Sequence, residues 1–104
     1  MKPLRITPLA REDIDSTAAY IAAQQPDAAR RFLGAVKRDC ELIRSQPEMG
    51  GLRWADLLPA VGTVRFLPIS QFRNWLIFYV ETDAEILVVR VLHGARDIPA
   101  IFRQ

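Results

Sequence analysis

Three arginines and a histidine sit where charge is expensive. Arg65 lies between Val64 and Phe66, and Arg90 between Val89 and Val91. His93 closes a long apolar run, with Arg96 and Asp97 close behind it. An arginine inside an apolar strand must find a partner or open onto solvent, because an unpaired buried charge is very costly. Two arrangements satisfy that demand. Either the arginines line an open sheet face and meet an anion (a phosphate or a partner's carboxylate), or Arg90 or Arg96 pairs with Asp97 or Glu81 and staples the tail. Histidine is a residue type suited to general acid–base work, and His93 equally suits a hydrogen-bonded cap at a strand end before Gly94.

Other chemistry is excluded by what surrounds these residues. No glycine-rich loop joins a strand to a helix to cradle phosphate, and no Gly-x-Ser-x-Gly elbow is present. Asp83 and Glu85 fall in a turn, where carboxylates are ordinarily solvated. Cys40 and His93 are the only residues of their kinds, so neither a disulfide nor a Cys/His zinc cluster can form within the chain. Neither a metal nor a cofactor is expected.

The elements that must position these residues follow from periodicity. Leu4 and Ile6 alternate with polar neighbours in a short opening strand, 2–6. Thr7-Pro8 is a helix start, with a hydroxyl to cap orphan amides and a proline suited to the first helical position. Glu12, Asp13 and Asp15 put negative charge near that helix's positive end. Ile14, Ala18 and Ile21 recur at helical spacing until Gln24-Gln25-Pro26-Asp27 interrupts them. A second helix carries Ala29, Phe32, Val36, Cys40 and Ile43 on one stripe, which makes Cys40 a small core residue. So short a connection predicts an antiparallel helical hairpin. From Gln46-Pro47 to about Gly62 the chain is irregular, yet Trp54, Leu57 and Leu58 predict a loop packed back on the domain. Residues 63–69, 75–81 and 86–92 read as strands, with Thr82 to Glu85 as a hairpin turn and Pro68 marking an edge or a strand end. The tail from Ile98 to Gln104 adds a short strand or a helical turn. The expected fold is α+β: β-α-α-β-β-β, a helical hairpin on a small antiparallel sheet, in a single domain spanning residues 1–104.

Composition fits a globular chain of one domain, with 104 residues, half of them apolar and a quarter charged. The net charge of +2 is unevenly placed. Residues 1–53 hold nine Lys/Arg against seven Asp/Glu, and residues 54–104 hold five of each. That excess is small for a nucleic-acid face and is expected to be a solvated helix surface. No run approaches the length of a membrane span and no signal segment is evident, so the expected location is the cytoplasm, without membrane association.

The chain resembles ParE-type toxins of the RelE/ParE superfamily over nearly its whole length. Asp13-Ile14 and Tyr20-Ile21 sit as in that family's first helix, and the segment from Pro26 to Phe32 resembles the start of its second. Pro47-Glu48-Met49-Gly50 resembles the turn that follows. Val64-Arg65-Phe66 and Ile77-Phe78-Tyr79 resemble the paired strands, and the segment from Arg90 to Asp97 the closing strand and turn. The resemblance makes Arg65, Tyr79, Arg90, His93, Arg96 and Asp97 the family-motif candidates.

The resemblance also implies a partner, a ParD-like antitoxin whose flexible tail adds to the sheet or lies in the helical groove, giving a hetero-oligomer. Ile14, Tyr20, Phe32, Phe66 and Pro68 are the candidates for that contact. The superfamily divides in activity: RelE-like members cleave messenger RNA on the ribosome, whereas ParE-like members inhibit DNA gyrase. Here Gly94 follows the histidine where many nucleases carry tyrosine, and residues 54–104 are neutral. The expectation is a non-catalytic gyrase inhibitor that does not read nucleic-acid sequence directly. The alternatives are a ribosome-dependent nuclease using Arg65, Arg90, His93 and Arg96, and a degenerate toxin that only binds an antitoxin.

Overall fold

In the computed structural model, which describes residues 1–104, strand β1 (Leu4–Ile6) leads into helices α1 (Pro8–Ala22) and α2 (Pro26–Ser45). A 3-10 turn (Pro47–Met49) and a loop follow, then β2 (Val64–Ile69), β3 (Phe72–Glu81), β4 (Ile86–His93) and a short helix α3 (Ile98–Phe102). Thr7 caps α1 as its hydroxyl accepts from the Ala10 amide, with Pro8 in the first turn. Pro26 starts α2 and Asp27 adds negative charge to its first turn.

The sheet runs β1-β4-β3-β2. The chain leaves β1 through the helical hairpin and re-enters at the far edge, so β3 and β4 fill inwards and β4 lies beside β1. Because β2, β3 and β4 alternate in direction, β4 meets β1 in parallel, with Leu4, Arg5 and Ile6 opposite Ile86, Leu87 and Val88. The sheet is therefore mixed, not wholly antiparallel. Lys2 and Arg5 tie β1 further by ion pairs to Glu81 and Glu85 at the β3–β4 turn.

The near-continuous apolar strands are explained by cover on both faces. Ala10, Ile14, Phe32, Val36 and Ile43 of the hairpin pack on Ile77, Tyr79, Val88 and Val91. On the opposite face Val64, Leu76, Phe78 and Leu92 meet Ile98 and Ile101 of α3, with Trp54, Leu57 and Leu58 of the loop. The tail is thus helical, and the loop is packed as its large apolar residues require.

Candidate functional site

Arg65 and Arg90 are each held by a partner within the chain. Arg65 Nη1 donates to the carbonyls of Glu48 and Gly50, both at 2.9 Å. Beside it Tyr79, opposite Arg65 across β2 and β3, donates its hydroxyl to the Pro47 carbonyl at 2.7 Å and accepts from the Gly50 amide at 2.9 Å. The pair therefore holds the 3-10 turn against the sheet. Burial pushes the Tyr79 phenol up from its ordinary value, opposed by the Gly50 amide and by Arg65. Gly50 is required at this spot, since a Cβ there would lie 2.5 Å from the Tyr79 oxygen and 2.9 Å from the Cβ of Arg65.

Arg90 is paired with neither Glu81 nor Asp97. Its Nε and Nη2 donate to the two carboxylate oxygens of Asp13 at 2.8 and 3.0 Å, a bidentate ion pair, and the Val91 amide donates to the same carboxylate at 2.9 Å. Donating to the Asp13 carboxylate raises the Arg90 guanidinium pKa further. The strand register shifts at this point, between Phe78 and Tyr79 on β3, leaving Val89 extra on β4. Thr7 Oγ1 lies 3.0 Å from the Val88 carbonyl and 3.3 Å from that of Val89, so α1 grips the irregularity at both its cap and its second turn. Asp13, read from sequence as a helix-end charge, is the key residue that reading missed. Its signal was the excess of carboxylates near Thr7 combined with an arginine inside an apolar strand.

His93 stands apart from both arginines. Its Nδ1 accepts from the Ala95 amide at 3.1 Å, and its ring meets the edge of Trp75 at 4.9 Å. Asp97 caps α3 by accepting from the Ala100 amide at 3.2 Å, and Arg96 is exposed with no ion pair. Arg65, Arg90 and His93 thus each make separate contacts within the chain, and the Arg96 side chain makes none. Cys40 is buried on α2, and burial together with Asp39 and Glu41 raises its thiol to about 11. No group of three His, Cys, Asp or Glu residues is close enough together to hold a metal ion. No helix is long and apolar enough to cross a membrane.

The expected antitoxin contacts separate into two classes. Ile14 and Phe32 are core residues, with at most 1% of their surface exposed, because the hairpin turns that stripe onto the sheet. Tyr20 is 64% exposed. Phe66 and Pro68 lie on edge strand β2, but that edge is closed: the Val64 amide donates to Ala55, Phe66 exchanges two backbone bonds with Gly51, and Pro68 has no amide. The open edge is on β1. There Pro3 and Thr7 bond to β4, so by strand alternation Leu4 and Ile6 turn their peptide groups outward. Beside them a groove of about 510 Å³ runs between β1 and the hairpin, floored by Ile14, Val36 and Cys40 and rimmed by the exposed Leu33.

Comparison with known proteins places the chain. The sequence model of the ParE toxin family, described as the ParE toxin of the type II toxin-antitoxin system parDE, matches residues 4–98. A solved chain from the chromosomal ParDE toxin–antitoxin system of P. aeruginosa superposes with a TM-score of 0.71 at 18% identity, over 89% of this chain and 96% of that one. Among curated proteins no sequence match is found.

Proposed function

The chain belongs to the ParE toxin family of type II toxin–antitoxin systems, and from that premise we propose that it arrests growth by binding DNA gyrase and is silenced by a ParD-like antitoxin. The observation that supports the non-catalytic reading is the commitment of Arg65 and Arg90. Arg65 is held by the carbonyls of Glu48 and Gly50 and Arg90 by Asp13, so two of the three arginines that the nuclease alternative would bring to a phosphate are already engaged. The second sheet face, which an RNA-cleaving site would use, is filled by Trp54, Ile98 and Ile101.

The antitoxin tail seats on the β1 side. Outward peptide groups on Leu4 and Ile6 offer main-chain hydrogen bonds to an added strand, and the adjoining apolar groove takes the side chains that flank it. Arg11 and Lys37 alternate with Asp15 and Glu41 along the groove, which favours a tail carrying both signs of charge. Expression of the chain alone should stop growth, and co-expression of the adjacent small open reading frame should restore it. Messenger RNA on toxin-treated ribosomes should stay intact. Cleaved message would replace this reading with the nuclease alternative, and absence of growth arrest would leave only an antitoxin-binding module.

A further inference from the structure

Trp75 stands between two hollows that lie apart from the β1 groove. One, of about 350 Å³, is lined by Ser16, Thr17 and Tyr20 of α1 with Trp75 and His93. The other, of about 400 Å³, is formed by the start of β3 with Gln71, Arg73 and Asn74. The indole is fixed between two rings, edge to face with Phe32 at 6.4 Å and with His93 at 4.9 Å. A partly exposed tryptophan held on two sides loses little freedom when a partner covers it, and Trp, Tyr and Arg are the residues that dominate binding energy at protein interfaces.

Polar groups around this ridge are unspent. The side chains of Ser16, Thr17, Tyr20, Gln71, Arg73 and Asn74 are not used in the hydrogen bonds and ion pairs that hold the fold together, and the Ala95 amide occupies His93 Nδ1, leaving Nε2 free. Within the two hollows the charge has one sign: no carboxylate lines either, and Arg73 is exposed in one. The adjoining turn adds the unpaired Arg96, followed by Asp97, whose carboxylate caps α3. Two arginines beside a neutral C-terminal half are too sparse to track a phosphate backbone, which needs a cation for each phosphate neutralised. They do suit a short acidic stretch of polypeptide with one large apolar side chain.

We infer that the Trp75 ridge, with Tyr20, His93 and Arg73, is a second protein-docking surface whose occupant is an acidic segment carrying an aromatic or aliphatic anchor. It lies across α1 from the β1 groove, since Tyr20 is about half a helical turn around from Arg11 and Asp15. The two surfaces can therefore be filled by different partners, whichever protein the toxin acts on.

The test is a titration of the isotope-labelled full chain, read by the indole N–H signals of Trp75 and Trp54. The probe is a short Asp/Glu peptide with one central Phe. Its Asn/Gln counterpart and a single-stranded oligothymidine serve as comparisons. The acidic peptide should move the Trp75 signal saturably and leave Trp54 in place. Arg73→Glu and Tyr20→Ala, both at exposed positions, should each weaken binding roughly tenfold, whereas Leu33→Asp in the opposite groove should not. A Trp75 signal that stays still, responds equally to the uncharged peptide, or responds more strongly to oligothymidine overturns the proposal.

Discussion

At the scale of single residues, two polar side chains carry more of the structure than their number suggests. Asp13 satisfies Arg90 and the Val91 amide at once, with only 14% and 17% of the two side chains exposed. Asp13→Ala leaves a largely buried guanidinium without its counter-charge, so it should destabilise the fold by about 3 kcal/mol, measured by urea denaturation. Tyr79→Phe strands the buried Gly50 amide and should cost about 1–3 kcal/mol in the same experiment. Cys40 gives the protein an alkaline limit. Its thiol is held protonated in the fold, up to about 11 against an ordinary 9.0. The stabilisation it contributes is complete below pH 9 and is lost as pH rises through about 11. Tyr79, raised also, acts in the same direction. Stability should fall by about 2–3 kcal/mol from Cys40 across that window, and Cys40→Ala should flatten the slope of a pH-dependent melting series.

At the scale of elements, the contrast between the two sheet edges decides where a partner strand can add. The β2 edge is occupied by backbone bonds from Gly51 and Ala55, and Gly51 permits this because a Cβ there would meet the Phe66 ring at 2.6 Å. The β1 edge is open beside a groove. Leu33→Asp on the exposed groove rim should leave the fold intact and weaken antitoxin binding at least about tenfold, measured by calorimetry. Periodicity located the helical hairpin and the four strands of this frame because the stripes through Ile14 and Phe32 and the apolar runs through Phe78 and Val89 are local signals, while the tail stayed open between a strand and a helical turn. What it did not carry was pairing. Neither the parallel match of β1 with β4 nor the bond from Arg90 to Asp13 leaves a trace in spacing, since each joins residues more than seventy positions apart. The start of β3 at Phe72 was hidden by Arg73 and Asn74, polar residues exposed at the strand's outer end, and by a turn at Gln71 with φ of 69°. Phe32 was read as a surface for a partner because a stripe shows that a residue shares a face, but not that the face is already covered.

At the scale of the molecule, the proposed function makes the chain a surface for other proteins more than a pocket for chemistry. Arg65 and Arg90 hold strands, His93 caps a turn, and both sheet faces are filled. What it offers outward is a strand edge with a groove on one side of α1 and an aromatic ridge on the other. On the proposed reading the molecule acts by occupying a target, so its effect should be stoichiometric and reversed by a competitor that binds it. The most direct measurement is DNA supercoiling by purified gyrase with the purified chain added at micromolar concentration. The account predicts that supercoiling is inhibited and that an equimolar amount of the cognate antitoxin restores it. Supercoiling that proceeds unchanged with folded toxin present would contradict it.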